Sequence, residues 1–204
     1  MKADGAWRPR LVIFAKAPRL GRVKTRLGRD IGHVRAWQFY RRMLFGLARK
    51  LGRDPRWETL IACAPDTALY DDAVWPAGVR RVAQGRGDLG RRMQRCFDTL
   101  PPGPVLIIGA DIPGITPADI ADGFRALGHK GAVFGPADDG GYWLVGLRRQ
   151  PTVPRLFAGV RWSGPHALAD TLANLGKTPY SALKTLNDVD NGADFARISE
   201  FRQV

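Results

Sequence analysis

Short apolar runs alternate in this chain with segments whose apolar residues recur every three or four positions. Arg10–Ala15 (RLVIFA) and Pro104–Gly109 are short apolar runs of the kind that form buried parallel strands. His33–Leu51 and Asp88–Leu100 instead carry an apolar stripe along one face of a helix. Helices between buried strands form crossover connections. The alternation therefore predicts an α/β fold with three layers, in which helices cover both faces of a mainly parallel, mixed sheet.

The remaining segments extend this pattern. Lys16–Gly32, which contains proline and glycine, is predicted to be a loop. The sequence shows no internal repeat and no linker, so we expect residues 1–204 to form a single domain. Ligands of such sheets bind beyond the carboxyl ends of the strands. Further strands are expected at Trp57–Ala64, Gly78–Ala83, Gly131–Gly135, Tyr142–Leu147 and Ala182–Leu186, and further helices at Pro117–Leu127, from a cap at Ser163 to about Leu175, and from a cap at Asn191 to about Phe201.

The composition excludes several classes of protein. With 45% hydrophobic and 25% charged residues, the chain is neither disordered nor fibrous. Its strongest apolar stretches, LVIFA and VLIIG, fall far short of the roughly 20 residues that a membrane span needs. The N-terminus lacks the apolar core of a signal peptide, so a soluble, cytoplasmic protein is expected. Cys63 and Cys96 fit neither a disulfide framework nor a CxxC pair and are interpreted as core residues.

The net charge of +13 is concentrated in the first quarter of the chain. Residues 1–56 contain 16 Lys and Arg against three Asp, whereas the rest of the chain contains 16 residues of each sign. This asymmetry indicates an anionic partner, which is nucleic acid, a membrane surface or a small phosphate ligand. The alternative is a solvated cationic surface in an arginine-rich protein, because arginine outnumbers lysine 25 to 7.

The loop after the first predicted strand is the densest cationic segment. Residues 15–28 read AKAPRLGRVKTRLG, at the position where open α/β sheets bind phosphate. Several cations next to free backbone amides suit a di- or triphosphate. Neither a P-loop motif nor GxGxxG is present, so a merely solvated loop stays as the alternative. The cations of this segment are Lys16, Arg19, Arg22, Lys24 and Arg26.

Carboxylates recur at predicted strand ends and turns. Asp111 ends the run VLIIGAD, at the carboxyl end of a predicted strand. A hard carboxylate next to bound phosphates at this place holds Mg²⁺ or Mn²⁺, and the alternative is that Asp111 caps a turn. Asp138 and Asp139 stand in GPADDGGYWL, where adjacent carboxylates repel each other unless a cation or a donor is nearby. Asp188 and Asp190 are two residues apart in LNDVDNGADF, so in an extended segment both face one cation; the alternative is a turn and a helix cap.

Other chemistries find little support. His33, His129 and His166 share no metal-ligand spacing, and the chain has no GxSxG motif. The basic segment 16–35 contains no aromatic residue on which bases would stack, so nucleic acid is disfavoured as the anionic partner.

Taken together, the motifs resemble a known family. FAKAPRLGRVKTRL, QGRGDLGRRM, IGADIPG, GPADDGGYWLVGL, the Trp-Ser pair of RWSG and NDVDNGADF are similar, over nearly the whole chain, to the radical-SAM/selenodomain-associated transferases. That glycosyltransferase-like family implies the GT-A nucleotide-diphospho-sugar transferase fold and a distant likeness to 2-phospho-L-lactate guanylyltransferases. Ile112, Gly164 and the Asn191-Gly192 pair depart from its usual pattern, which leaves the acceptor open.

The resemblance also implies a role for each matching residue. The catalytic residues would be Lys24, Asp111, Asp138 and Asp139. The nucleotide and its phosphates would lie against Lys16, Arg22, Lys24, Arg26, Gln84, Gly87 and Asp88. The acceptor would contact Asp139, Gly140, Gly141, Tyr142 and Trp162. The metal, Mg²⁺ or Mn²⁺, would be held by Asp111, Asp188 and Asp190.

Two reactions follow from such a site. In nucleotidyl transfer, an oxygen of a phosphorylated or sugar-like acceptor attacks the α-phosphorus of a nucleoside triphosphate, and the dense cationic loop favours this reaction. In glycosyl transfer, a nucleotide-diphospho-sugar is the donor, and Asp138 or Asp139 takes the proton of the acceptor hydroxyl. The third alternative is a basic nucleic-acid-binding protein. The sequence leaves the base, the acceptor and the oligomeric state open.

Overall fold

A computed structural model describes residues 7–200, in which seven strands form one sheet in the order β3-β2-β1-β4-β6-β5-β7. The strands are β1 (Arg10–Lys16), β2 (Glu58–Ala64), β3 (Arg80–Ala83), β4 (Val105–Gly109), β5 (Ala132–Pro136), β6 (Tyr142–Leu147) and β7 (Tyr180–Ala182). The helices are α1 (Thr25–Ile31), α2 (His33–Gly52), α3 (Leu89–Thr99), α4 (Pro117–Leu127), α5 (Ala167–Leu175) and α6 (Gly192–Glu200), with a short 3-10 turn at Asp66–Ala68.

The sheet is mixed, as predicted. β1 pairs in parallel with both β2 and β4, and β3 pairs in parallel with β2. β6 is antiparallel to β4 and to β5, and β7 is parallel to β5. The carboxyl ends of β1, β2, β3 and β4 therefore meet at one edge of the sheet, where the loops that follow them form a shared crevice.

The core has one apolar layer on each face of the sheet. Leu11 and Ile13 of β1 lie in a cluster with residues of α2 and α4, whereas Val12 lies in a second cluster with Met93 and Phe97 of α3. Successive side chains of a strand point to opposite faces, so an uninterrupted apolar run such as LVIFA fills both layers. The predicted three-layer architecture is confirmed, and Cys63 and Cys96 are buried core residues.

Helix α4 shows how local sequence fixes a boundary. Pro117 occupies its first turn, and Thr116 and Asp119 form a capping box in which each side chain accepts from the other residue's backbone N–H. Proline is favoured in a first turn because its missing N–H has no partner there anyway. The helix runs from Pro117 to Leu127, as the sequence predicts.

Three predicted boundaries are wrong. The second half of the predicted loop forms α1, which begins directly after Lys24. Helix α5 begins at Ala167 and not after Ser163, because Ser163 adopts a positive φ of 62° and is not a cap. β7 ends where the predicted strand Ala182–Leu186 begins, although Leu183 and Leu186 still donate backbone hydrogen bonds to Phe134 and Pro136.

The last helix matches its predicted start. The side chain of Asn191 accepts a hydrogen bond from the backbone N–H of Asp194 at 2.9 Å, as a helix cap does. Its predicted end at Phe201 lies outside the described residues. Across residues 7–200, none of the helices combines the length and the apolar character that a membrane crossing requires.

Candidate active site

The loop after β1 is fastened to the protein before it reaches the crevice. The Tyr40 hydroxyl accepts from the backbone N–H of Lys16 at 2.9 Å and donates to its carbonyl at 3.1 Å. Trp37 donates from its indole N–H to the carbonyl of Pro18 at 2.5 Å. Both contacts come from α2, so this helix sets the path that leads the chain from Lys16 to Lys24.

Lys24 is the centre of the candidate site. Its ammonium lies 2.6 Å from a carboxylate oxygen of Asp111, 2.6 Å from one of Asp190 and 3.6 Å from one of Asp188. The side chain of Lys24 is only 7% exposed, and its backbone has the left-handed φ of 45°. The strained backbone turns the chain sharply into α1 and directs the ammonium at the three carboxylates.

Residues 188–191 are held where α1 meets α6. Val189 is 2% exposed and packs in a small cluster with Leu27 and Ala36, so the side chains of Asp188 and Asp190 on either side of it face the crevice. The backbone N–H of Asp190 donates to the Asp194 carboxylate at 3.0 Å, and that of Gly192 donates to Asp30 at 2.7 Å.

The charges within this cluster shift each other's protonation. Burial would lower the pKa of Lys24, but the Asp111 carboxylate, with Asp190, raises it well above its usual value. Burial raises the pKa of Asp188 to about 6, despite the Lys24 ammonium, and the neighbouring carboxylates add to the rise. Burial would also raise the pKa of Asp190, but the hydrogen bond from Lys24 and its positive charge keep this pKa below its usual value. The cluster therefore contains one firmly charged amine and one carboxyl that protonates near pH 6.

The three carboxylates fit a divalent ion. One oxygen from each of Asp111, Asp188 and Asp190 lies within 4.8 Å of the others. Carboxylate oxygens are the ligands that Mg²⁺ and Mn²⁺ prefer. An ion held there would compete for the oxygens that now accept from Lys24, because the lysine amine is the cation that balances this cluster in the structure.

A cavity of about 610 Å³ with a cationic wall opens beside the cluster, and we call it the basic cavity. Gln84 closes its floor by donating to the carbonyls of Ala15 and Ala62, which ties the ends of β1 and β2 together. Asp88 accepts from the backbone N–H of Arg91 at 2.8 Å and so caps α3. All the residues predicted to bind nucleotide or phosphate lie in its wall: Lys16, Arg22, Lys24, Arg26, Gln84, Gly87 and Asp88. Arg19, by contrast, pairs with Asp71 at 3.1 Å.

A second, smaller cavity of about 310 Å³ lies on the other side of Asp111, and we call it the aromatic cavity. The rings of Tyr142 and Trp162 meet edge to face in its wall, 6.5 Å apart. Trp162 packs so closely on α3 that a side chain on Gly90 would meet the indole at 2.8 Å. The residue before it, Arg161, forms a two-point ion pair with Asp170 at 2.8 and 2.9 Å, which fixes this part of the wall.

The turn between β5 and β6 supplies the rest of the predicted acceptor residues. Asp139 accepts from the backbone N–H of Gly141 at 2.9 Å, and both residues line the aromatic cavity. Gly140 has a φ of 80° and lies against the carbonyl of Pro165, where a side chain would clash. Asp138 is turned aside: it accepts from the Asn187 amide at 2.6 Å, and its backbone N–H donates back to Asn187 at 2.9 Å.

Sequence reasoning missed two residues of the basic cavity. Arg92 lines it and donates to the carbonyl of Gly87 at 2.8 Å. Its position in QGRGDLGRRM, one helical turn after the Asp88 cap, was the available signal. Tyr40 lines the cavity as well, but in the sequence it looks like any other apolar position of α2.

The two cavities share part of their walls. Four residues line both of them, namely Phe14, Leu89, Gly109 and Asp111. Asp111 is the only acidic residue among the four. Asp188 lines the aromatic cavity, and Asp190 lines the basic cavity. The acidic cluster therefore lies at the junction, within reach of ligands in both cavities.

Several solved structures with the same fold are described as transferases or synthases. A candidate nucleotide-diphospho-sugar transferase from Desulfovibrio desulfuricans G20 is 28% identical, with a TM-score of 0.89 over 97% of this chain and 89% of that one. 4-Diphosphocytidyl-2C-methyl-D-erythritol synthase from Anaerococcus prevotii DSM 20548 is 11% identical, with a TM-score of 0.63 over 97% of both chains. Glucosyl-3-phosphoglycerate synthase from Mycobacterium tuberculosis, in complex with Mn²⁺, UDP and phosphoglyceric acid, is 12% identical, with a TM-score of 0.57 over 96% of this chain and 75% of that one.

These likenesses confirm the predicted GT-A-like fold. The prediction of a transferase is supported by the 28% identical protein, which is described as a candidate nucleotide-diphospho-sugar transferase. A comparison with curated proteins gives no significant match. One family profile matches residues 47–164, more than half of the chain and including Asp111, Asp139 and Trp162. The chain belongs to the DUF2064 family, described as uncharacterized proteins conserved in bacteria.

Proposed function

We propose that this chain is a metal-dependent transferase, a single domain over residues 1–204, that binds a nucleotide donor in the basic cavity and an acceptor in the aromatic cavity. One observation carries the proposal: the acidic cluster around Lys24 lies where a cationic cavity and an apolar one meet. A transferase needs such a junction, because its two substrates must react across a shared point.

The wall of the basic cavity favours a nucleoside triphosphate as the donor. Lys16, Arg22 and Arg26 would hold the phosphates together with Lys24, and Arg92 adds a further cation from α3. Charge-assisted hydrogen bonds to phosphate are about twice as strong as neutral ones. So many cations exceed what a diphosphate requires, which favours nucleotidyl transfer as the reaction.

In that reaction an acceptor oxygen forms a bond to the α-phosphorus while the bond to pyrophosphate breaks. Catalysis of this kind depends on positioning and on neutralising the charge of the leaving group. Asp111, Asp188 and Asp190 would hold Mg²⁺ or Mn²⁺, which when bound supplies a Lewis acid for the phosphate oxygens. Lys24, once its carboxylates hold the ion, is left within the basic cavity to contact a phosphate.

Asp139 is the better of the two candidate bases. Its carboxylate lines the aromatic cavity, whereas that of Asp138 is engaged by the amide of Asn187. We therefore assign the acceptor's proton to Asp139, and we assign to Asp138 the positioning of the turn. Gly141, Tyr142 and Trp162 would contact the acceptor, and Gly140 would hold the turn against Pro165.

Glycosyl transfer is the second candidate. It is favoured by the 28% identical protein of Desulfovibrio desulfuricans G20, which is described as a candidate nucleotide-diphospho-sugar transferase. The same carboxylates would serve a departing nucleoside diphosphate. The resemblance to the radical-SAM/selenodomain-associated transferases and to the guanylyltransferases stays a prediction that identification of the donor would test.

The test is a panel of the four nucleoside triphosphates and of nucleotide-diphospho-sugars, each with Mg²⁺ and with Mn²⁺. Donor binding is measured as a rise in the unfolding temperature, since a ligand of the native state stabilises it by mass action. Triphosphate binding followed by acceptor-dependent release of pyrophosphate supports nucleotidyl transfer. Binding of a nucleotide sugar alone supports glycosyl transfer, and the absence of any metal-dependent shift would contradict both.

A further inference from the structure

Among the described residues, the wall of the aromatic cavity has acidic side chains but no positively charged one. Of the described residues that line it, none is Lys, Arg or His, while Asp111, Asp139 and Asp188 are all present. The rest of its wall is apolar or aromatic, with Phe14, Met93 and Trp162 among the larger side chains. This differs from the basic cavity, whose wall has Lys16, Arg22, Lys24, Arg26 and Arg92.

From this composition we infer that the acceptor is an uncharged hydroxyl compound with an apolar face, and not a phosphorylated molecule. The inference rests on the proposed function and narrows it, because it holds for nucleotidyl and for glycosyl transfer. A phosphate group placed in the aromatic cavity would lie among carboxylates with no cation in the described wall, because the neighbouring Lys24 ammonium is already held by Asp111 and Asp190 at 2.6 Å, and like charges at such a site repel.

A bound metal ion does not change this reasoning. A divalent ion held by Asp111, Asp188 and Asp190 and the Lys24 ammonium beside them would together carry three positive charges against three negative ones, and the donor phosphates add further negative charge. The junction therefore offers no surplus positive charge to an anionic acceptor. Asp139, which lies in the wall of the same cavity, adds one more negative charge on the acceptor side.

The carboxylates suit an alcohol for a second reason. A phosphate oxygen that attacks a donor is already an anion, whereas a hydroxyl must lose its proton as the new bond forms. In nucleotidyl transfer, the acceptor oxygen bonds to the α-phosphorus, the hydroxyl proton passes to the Asp139 carboxylate, and pyrophosphate leaves with the electron pair of the broken bond. An acid-lined cavity without cations therefore provides what an alcohol needs and lacks what a phosphate needs.

Size and shape also point to a small ring. The cavity volume of about 310 Å³ is near the low end of ligand sites, which is roughly 300 Å³. The edge-to-face pair of Tyr142 and Trp162 offers an apolar surface to the flat face of a sugar or an arene. The Tyr142 hydroxyl is already within 3.4 Å of Thr171, so the ring and not the hydroxyl is presented to the cavity.

The experiment compares a matched pair of probes, phenyl β-D-glucopyranoside and its 6-phosphate, by saturation-transfer NMR and calorimetry. The chain is used alone and with Mg²⁺ plus each of the four α,β-methylene nucleoside triphosphates. We expect the neutral probe to bind roughly 10-fold or more tightly than its phosphate. We expect Trp162→Ala to weaken binding of the neutral probe, while Trp7→Ala, which changes an exposed tryptophan outside both cavities, leaves it unchanged.

A second variant keeps the test independent of how well Trp162→Ala folds. Asp139→Asn keeps an oxygen that can accept the hydrogen bond from the Gly141 N–H, and it removes one negative charge. It should therefore reduce the difference in affinity between the two probes severalfold. Equal or tighter binding of the 6-phosphate, sensitive to Trp162→Ala, would overturn the inference. Absence of binding by every triphosphate would instead contradict nucleotidyl transfer, and absence of binding by every nucleotide sugar as well would contradict the proposed function, so these failures are distinguishable from failure of the inference about the acceptor.

Discussion

The basic and aromatic cavities adjoin, yet they recognise ligands by different physical means. The basic cavity depends on Lys16, Arg22 and Arg26, long and largely solvated side chains whose attraction to phosphate does not depend on the shape of the rest of the ligand. The aromatic cavity depends on the half-buried rings of Tyr142 and Trp162, which are fixed by packing, so its selectivity comes from shape and from the cost of burying charge. Under the proposed function, the comparison teaches that donor recognition would be tolerant and acceptor recognition strict, with Asp111 serving both.

The largest effect is expected where the two cavities meet. Asp111→Asn removes one of three carboxylates from the cluster while keeping its shape, so the chain should fold but hold a divalent ion poorly. We expect donor-dependent turnover to fall at least about 100-fold, measured as pyrophosphate or nucleoside diphosphate release.

The matched control is Asp122→Asn, an exposed aspartate of α4 whose carboxylate pairs with Arg125 and lies in neither cavity. It should leave turnover unchanged. If Asp111→Asn retained both turnover and metal dependence, Asp111 would not be the residue that the two cavities share in function.

A variant of the basic cavity should separate the two forms of recognition. Arg22→Ala removes one phosphate cation, and we expect donor binding to weaken by roughly 10-fold, with a shallower dependence on salt. Binding of the neutral acceptor probe should not change. Arg148→Ala is the control, because Arg148 is exposed and its side chain lies outside both cavities. Weakening of both ligands would show that the cavities are not independent.

Lys24→Met tests the balance of charge at the junction. The lysine side chain is buried, so its removal leaves Asp111 and Asp188 without their cation and Asp190 with Arg26 alone, 3.8 Å away. The loss should cost about 1–3 kcal/mol of unfolding free energy in the absence of metal. Mn²⁺ should then bind more tightly than to the wild type, since it no longer competes with the amine. Urea unfolding and calorimetry measure the two effects, with Lys177→Met, at an exposed position, as control. Weaker Mn²⁺ binding by Lys24→Met would contradict the competition.

The smallest effect is expected from pH. Because the pKa of Asp188 is raised to about 6, its carboxyl is mostly protonated at pH 5 and ionised at pH 7.5. The pKa of Asp190 is lowered, so that group stays ionised over the same range. Metal ligands must be deprotonated, and Mn²⁺ affinity should therefore fall roughly three- to tenfold between pH 7.5 and pH 5. Asp188→Asn should lose most of this dependence, and an unaltered pH profile in that variant would assign the titration to another group.

Much of the fold follows from the sequence because the signals are local. The apolar run of β1, and the Thr116 and Pro117 start of α4, each fix their element within a few residues. α1 was missed because its turn contains cations and a glycine, and its helical state depends on packing against α2. The start of α5 was misplaced for a related reason: Ser163 has the side chain of a cap, but the wall of the aromatic cavity holds its backbone at a positive φ.

The candidate site was predictable in its members but not in their contacts. The strand ends and the two-residue spacing of Asp188 and Asp190 indicate that these acids face the crevice. The sequence does not indicate that Lys24 would direct its ammonium at them, since that depends on a left-handed backbone at a non-glycine residue. Nor does it distinguish Asp139 from Asp138, because the partner of Asp138, Asn187, is distant in sequence.

The separation of the two walls along the chain has a further consequence. Apart from their four common residues, most of the basic cavity's wall comes from residues 15–40 and 84–92, with Ala110 and Asp190, whereas most of the aromatic cavity's wall comes from β4, residues 137–145 and residues 162–167, with Met93, Ile112 and Asp188. Segments encoded so far apart can diversify separately. Exchanging residues 162–167 between relatives should therefore change the preference for the proposed acceptor while leaving the basic cavity unchanged. Natural members of the family could diversify by the same substitutions.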